Sequence, residues 1–231
     1  MTREPGTLAD PAVDIVTVDG RPVPAAEDKR YILLHKPRGY VATRHDPQGR
    51  AIVTDLVAPG VRLYPVGRLD TDVEGLLLLS NDGELTHRVL HPRYGLPRVY
   101  EADVVGLVTA ADLRRWRAGV TLADGFAQPL AVEIAVGGER RSSETTRLVL
   151  TFAEGRKHEV KRYCDALGHP VVRLRRIAFG PLTLGDLAVG ASRDLTRREL
   201  AQLRAAVAGA EARAARRADR RQGRSDESPL A

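Results

Sequence analysis

The order of apolar and polar residues divides the chain into short segments typical of strands and helices. Apolar or alternating runs bounded by glycine, proline or other turn residues predict strands. They cover residues 14–18, 31–36, 76–79, 99–104, 129–136, 147–152 and 170–179. In the run 99–104, Tyr100, Ala102 and Val104 alternate with polar residues, so their side chains are expected on one face of a strand.

Apolar residues spaced three and four apart predict four helices between these strands. The first ends at Pro92, the second extends from Thr109 to Gly119, and the third extends from Glu154 to Gly168. The last begins at the capping box Thr196-Arg197-Arg198-Glu199. Strands and helices in this irregular order, with antiparallel hairpins available, predict an α+β fold built on a mixed, largely antiparallel sheet.

The C-terminal residues have no apolar stripe. Residues 209–231 are mainly Ala, Arg, Asp, Glu and Ser, a composition that buries too little surface to fold alone. We therefore expect a basic, disordered tail there. A basic tail adds nonspecific affinity for nucleic acid, although a merely solvated tail fits the composition equally well.

The charge of the chain favours a polyanionic partner. The formal net charge is +6, and lysine occurs only at Lys29, Lys36, Lys157 and Lys161, so arginine supplies most of the positive charge. The planar guanidinium suits phosphate, which makes nucleic acid the first expectation. Coding bias towards arginine and alanine is the alternative. A single cysteine and the absence of a membrane-length or signal-like segment predict a cytoplasmic protein.

One charged stretch directly precedes a buried strand. Residues 66–75, Val-Gly-Arg-Leu-Asp-Thr-Asp-Val-Glu-Gly, lead into Leu76 to Leu79 and a turn at Asn81-Asp82-Gly83. Alone, this pattern is typical of a solvated acidic loop. No phosphate-binding glycine loop, paired cysteines or nucleophile-elbow serine is present, and His87 and His91 have no third ligand at zinc-site spacing. We expect neither cofactor nor metal.

Several motifs, in order, resemble the ribosomal RNA pseudouridine synthases of the RsuA/RluB/RluE/RluF family. His35-Lys36-Pro37-Arg38-Gly39 resembles the first motif, where asparagine is usual at the first position. Gly67-Arg68-Leu69-Asp70 is similar to the catalytic motif, and Val99-Tyr100 matches the position of the active-site tyrosine. Segments 154–162 and 174–182 resemble the third motif. Val73 and Glu159 depart from the usual threonine and glutamine.

The resemblance implies roles for particular residues. Asp70 would be the catalytic aspartate, Tyr100 would stack on the target base, and Lys161 would pair with Asp70. RNA or substrate contacts would come from other residues in or near the motifs: Lys36, Arg38, Arg68, Arg156, Arg173 and Leu174. Asp72 and Glu74 are interpreted as loop-shaping or solvated.

The resemblance also implies a domain organisation and a partner. Residues 1–28 would be the remnant of an S4-like RNA-binding domain with its linker, and residues 29–208 the catalytic domain. The partner would be ribosomal RNA, and we expect a monomer. Two other functions stay open: a noncatalytic RNA-binding or ribosome-associated protein of the same fold, and a glycosidase that uses Asp70 with Asp72 or Glu74.

Overall fold

The structure is a computed structural model, and it describes residues 10, 14–22, 27–58, 60, 62–135 and 145–225. The strands are β1 (Thr17–Val18), β2 (Arg21–Pro22), β3 (Tyr31–Lys36), β4 (Tyr64–Pro65), β5 (Glu74–Ser80), β6 (Arg98–Val105), β7 (Val120–Leu122), β8 (Gly125–Ala127), β9 (Ala131–Ile134), β10 (Thr145–Phe152), β11 (Val171–Phe179), β12 (Leu182–Thr183) and β13 (Ser192–Asp194). The helices are α1 (Gly83–Leu90), α2 (Leu113–Ala118), α3 (Glu159–Ala166) and α4 (Arg197–Ser225), with a 3-10 turn at Val53–Leu56.

Nine of these strands form one mixed sheet. Its order is β13-β3-β5-β11-β6-β10-β9, with β4 paired to β5 and β12 paired to β11. The β5–β11 pair is parallel, and the other pairs in the described part of this sheet are antiparallel. The prediction of an α+β fold with a mixed, largely antiparallel sheet is therefore confirmed.

The period-two alternation of β3 and β5 places two hydrophobic clusters on the two faces of the sheet. Leu77 and Leu79 belong to one cluster with the apolar residues of α2 and α3. Leu76 and Leu78 belong to the other, with residues of α1 and α4. Because both faces are covered, β3 and β5 are continuous apolar runs, and each fully buried leucine contributes about 1.5–3 kcal/mol.

The sequence predicted the bounds of the central strands closely, and it predicted the first residues of the helices less accurately. The strand expected at residues 31–36 has those bounds, whereas the one expected at 14–18 is reduced to Thr17–Val18. The strand expected at 129–136 covers 131–134, and residue 136 lies outside the described residues. Helix α2 begins only at Leu113, because the Thr109 amide and hydroxyl bond the Asp112 carboxylate and form a turn first.

Helix α4 continues into the segment for which we expected a disordered tail. It reaches Ser225, while residues 226–231 lie outside the described residues. Ala210 and Ala214 are buried and continue the stripe that begins at Leu203 and Val207. Arg88 of α1 also forms a 2.7 Å ion pair with Glu211. Small alanines bury little apolar area, so this stripe is weak in the sequence. The domain divisions at residues 28 and 208 stay predictions.

Candidate active site

A cavity of about 480 Å³ lies between the loop after β4, the central strands β6 and β11, and the start of α3. Asp70, Tyr100, Lys161 and Leu174 line it together. These residues are distant in the sequence, so the fold brings the expected catalytic set to one site. We name this space the Asp70 cavity.

The loop that carries Asp70 is held in place by hydrogen bonds from the buried side chain of Lys36. The Lys36 ammonium is fully buried and donates hydrogen bonds to the carbonyl oxygens of Asp70 at 3.0 Å and Val73 at 2.8 Å. It also bonds the carbonyl of Pro37. Burial lowers the pKa of Lys36 to about 8, whereas the nearby carboxylates of Asp72, Asp70 and Glu74 raise it. The expected RNA contact by Lys36 is therefore wrong: its charge fixes the loop from inside.

Two basic side chains from the start of α3 lie beside the Asp70 carboxylate. His158 Nε2 is 3.3 Å from one oxygen and Lys161 Nζ is 3.7 Å from the other. Lys161 bonds Asp72 more closely, at 2.7 Å to both oxygens, and this bond lowers the Asp72 pKa. Lys161 thus bridges two carboxylates, and the exposed Asp72 carboxylate accepts hydrogen bonds from its ammonium.

His158 was not singled out by the sequence analysis. It has φ +53° and precedes the first residue of α3, which begins at Glu159 rather than at the expected Glu154. A non-glycine residue in this conformation costs roughly 1–3 kcal/mol and is typical of functional sites. The departure from the usual glutamine at Glu159 also has an explanation, since this buried carboxylate pairs with Arg156 at 2.9 Å.

Tyr100 and Leu174 form the apolar wall of the Asp70 cavity. Tyr100 lies on β6 and Leu174 on the neighbouring β11, and each faces the same side of the sheet. Both are largely buried. An aromatic ring and a leucine on one wall suit the flat face of a nucleobase.

Two buried arginines, Arg98 and Arg176, also line the Asp70 cavity and were missed as site residues. Arg98 lies two residues before Tyr100 on β6, and Arg176 is paired with Tyr100 in register. Both guanidiniums lie 5.1 Å from the centre of the Phe179 ring. The alternation along residues 98–104 could have identified Arg98 as a site residue, because it places Arg98 on the same face of the strand as Tyr100.

The other predicted contacts with RNA divide into exposed and neutralised arginines. Arg38 and Arg68 are exposed, and neither has an ion pair within the described residues. Lys157 is a further exposed cation on the cavity lining. Arg156 lines the cavity as well, but it pairs with Glu154 and Glu159 and bonds the carbonyl of Phe126.

Arg173 does not face the Asp70 cavity. Because side chains alternate along β11, it lies on the opposite face from Leu174 and pairs with Glu74 at 3.1 Å. Glu74 is buried and also lies 3.3 Å from His35 Nε2. Any RNA contact of Arg173 therefore lies outside the Asp70 cavity, and the expectation of a solvated Glu74 is corrected.

Neither carboxylate considered as the partner of Asp70 in a glycosidase is free for that role. Glu74 is engaged on the other face by His35 and Arg173, and Asp72 is engaged by Lys161. In the described ranges, no three His, Cys, Asp or Glu residues are grouped as a metal site. Nor does any helix in those ranges have the length and apolarity to cross a membrane.

Comparison with known proteins identifies the class. The RNA pseudouridylate synthase family matches residues 30–166. An RNA pseudouridine synthase of Aquifex aeolicus is 49% identical over 209 residues, which are 90% of this chain and 82% of the relative. Ribosomal large subunit pseudouridine synthase B of Bacillus subtilis is 38% identical, over 83% of this chain and 78% of that protein.

A solved structure agrees with these relatives. A crystal structure of a pseudouridylate synthase has a TM-score of 0.67 and 29% identity, covering 79% of this chain and 76% of that one. This chain belongs to the RNA pseudouridylate synthase family. It is an isomerase acting on RNA, as the motifs around Asp70 and Tyr100 predict.

Proposed function

We propose that this enzyme isomerises uridine in ribosomal RNA, with Asp70 as its catalytic carboxylate. The observation that carries the assignment is the position of Asp70. Its carboxylate faces a cavity of about 480 Å³, with Lys161 at 3.7 Å and with Tyr100 and Leu174 on the wall. The ribosomal substrate is supported by the name of the Bacillus subtilis relative. Such a reaction belongs in the cytoplasm, where bacterial ribosomal RNA is processed.

The reaction needs one carboxylate and no co-reactant. The C1′–N1 bond of uridine breaks, the base turns, C5 bonds to C1′, and the C5 proton is lost while N1 gains one. Asp70 acts on the sugar either as nucleophile or as base, and both routes need an ionised carboxylate. Lys161 supplies positive charge that offsets the loss of hydration when RNA closes the cavity, and His158 Nε2 lies beside the same carboxylate.

In this proposal Tyr100 contacts the target base, and Lys161 pairs with the Asp70 carboxylate. The Tyr100 ring offers a face for stacking on uracil, and its phenol is the group to which we assign proton transfer at C5. Leu174 closes the same wall. Since the target atoms are inaccessible in a stacked helix, the uridine has to leave the stack and enter the Asp70 cavity. Arg68 and Lys157 on its lining, together with the exposed Arg38, would then bind the flanking phosphates.

The test is Asp70→Asn, assayed for pseudouridine formation on deproteinised ribosomal RNA. We expect the rate to fall by at least about 100-fold, the lower end for loss of a positioned catalytic group. Asp72→Asn is the matched control, because Asp72 lies in the same loop but touches Lys161 rather than the cavity. Its rate is expected to fall less than that of Asp70→Asn.

Two results would overturn the proposal. Retention of the wild-type rate by Asp70→Asn would remove Asp70 from catalysis. Binding of ribosomal RNA by the wild type without any conversion would favour a noncatalytic role on this substrate. Mapping pseudouridines in ribosomal RNA from cells with and without the gene then identifies the target uridine.

A further inference from the structure

The Asp70 cavity has more positive charge than catalysis on a uridine requires. Six lysines or arginines line it against three carboxylates. Arg156 and Lys161 have carboxylate partners, and Arg68 and Lys157 are exposed to water. Arg98 and Arg176 differ from all four, since they are only 8% and 3% exposed.

Neither buried arginine has a carboxylate partner in the described part of the chain. Arg98 donates to the carbonyl oxygens of Leu96 and Ala153, and Arg176 donates from Nε to the carbonyl of Leu76. Arg176 Nη2 is buried without a hydrogen-bond partner. A buried charge with an unsatisfied donor is costly, so such groups are retained mainly where they have a further role.

The two guanidiniums also share one aromatic neighbour. Each is 5.1 Å from the centre of the same Phe179 ring. Burial lowers the pKa of Arg98, and the charge of Arg176 acts in the same direction. Gly155 allows the backbone to approach Arg98, because a Cβ there would come within 3.1 Å of the Arg98 guanidinium.

Both arginines are neighbours of Tyr100, on which the target base is proposed to stack. Arg98 is on the same face of β6 as Tyr100, two residues away, and Arg176 is the cross-strand partner of Tyr100. Side chains related in this way are neighbours, about 5–7 Å apart. A nucleotide whose base stacks on Tyr100 would therefore bring its own or the adjoining phosphate near the pair.

We infer that Arg98 and Arg176 form a buried phosphate subsite that binds a backbone phosphate of the RNA at the flipped uridine. Guanidiniums match phosphate oxygens in geometry and charge, and neither of these two is neutralised by a carboxylate in the described part of the chain. The subsite rests on the proposed function for its ligand. It assigns positioning, rather than chemistry, to two arginines that touch no reacting atom.

The experiment compares phosphorylated and neutral ligands on the full chain. Inorganic phosphate, uridine 5′-monophosphate and uridine are titrated while the guanidinium Nε–Hε signals are followed by NMR. The Arg98 and Arg176 signals are assigned from their loss in Arg98→Met and Arg176→Met. We expect both signals to move with either phosphate ligand, and uridine 5′-monophosphate to bind about tenfold tighter than uridine.

The variants show whether the two arginines cause that preference. Arg98→Met or Arg176→Met is expected to reduce it to within about twofold. Arg175→Met is the matched control: Arg175 is adjacent on β11 but faces the other side and pairs with Glu101 at 2.6 Å. It is expected to keep the preference. If one arginine variant fails to fold, the other variant and the wild-type comparison still show whether the subsite binds phosphate.

Three outcomes would overturn the subsite. Phosphate that leaves both signals unmoved excludes anion binding there. Uridine that moves them as much as its monophosphate indicates that the pair contacts the base. Equal loss of preference in Arg175→Met indicates a general charge effect.

Failure of the subsite and failure of the proposed function are distinguishable with Asp70→Asn. This variant is expected to keep the phosphate response while it loses conversion. Conversion that persists in Asp70→Asn would reject the catalytic assignment without touching the phosphate result.

Discussion

The two faces of the sheet at β11 and its neighbours use arginine in opposite ways. On the face away from the Asp70 cavity, Arg173, Arg175 and Arg147 pair with Glu74, Glu101 and Asp103 at 3.1, 2.6 and 2.6 Å. On the cavity face, Arg98 and Arg176 have carbonyl partners and an aromatic ring, but no carboxylate among the residues that the structure describes. Arg175 and Arg176 are consecutive, so one step along a strand changes the role of the side chain.

The difference shows that the carboxylate partners of an arginine, rather than the residue type itself, indicate whether it is available to bind RNA. A guanidinium paired with a carboxylate contributes little net field outside the pair. An unpaired guanidinium attracts phosphate, and does so more strongly where water is excluded. Three variants test this contrast between the paired face and the cavity face.

The largest effect on the free energy of unfolding is expected for Gly75→Ala, at the close contact between the parallel strands β5 and β11. Gly75 has φ +124°, and a Cβ there would overlap the backbone oxygen and nitrogen of Arg176 on the parallel strand β11. We expect a loss of more than about 3 kcal/mol in the free energy of unfolding. Urea denaturation measures it.

Gly83→Ala is the control for that substitution. Gly83 begins α1, and a Cβ there would meet nothing within 4 Å. We expect a change within about 0.5 kcal/mol, or a slight gain. Comparable losses in both variants would mean that the close approach of β5 and β11 is not what Gly75 permits.

A smaller effect is expected for Arg173→Met on the paired face. The substitution leaves buried Glu74 with His35 as its remaining partner. Because Arg173 is 35% exposed, solvent screening reduces the expected loss to about 1–2 kcal/mol in the free energy of unfolding. Affinity for ribosomal RNA and its dependence on salt should not change. A reduced salt dependence would place Arg173 in the RNA interface after all.

The smallest effect on stability is expected for Arg68→Met on the lining of the Asp70 cavity. Arg68 is exposed, so the free energy of unfolding should change by no more than about 0.5 kcal/mol. If Arg68 binds one phosphate, the slope of log affinity for ribosomal RNA against log salt falls by roughly 0.7–0.9. Binding titrations at several salt concentrations measure the slope. An unchanged slope, with Arg173→Met reducing it, would reverse the contrast between the faces.

Much of the site was predictable because it depends on short motifs and on alternation. The loop with Asp70, the strand with Tyr100 and the basic segment with Lys161 were recognised in the sequence, and the cavity brings these residues together. Errors fell on charged residues. Lys36, Arg173 and Glu74 carry the same charges as exposed residues, yet each is engaged inside the protein or against the far face. Sequence alone does not show the carbonyls and carboxylates that surround a side chain.

The sequence by itself determined the fold class, the central strands, the family and the candidate catalytic aspartate, because apolar periodicity and local motifs depend on near neighbours in the chain. Only the tertiary structure decided which cations lie beside Asp70, where α3 begins, and which arginines face the Asp70 cavity without a carboxylate partner. Those features depend on contacts between residues up to a hundred positions apart, such as Arg176 and Leu76. Electrostatic pairing at that range depends on how the strands meet in the folded sheet.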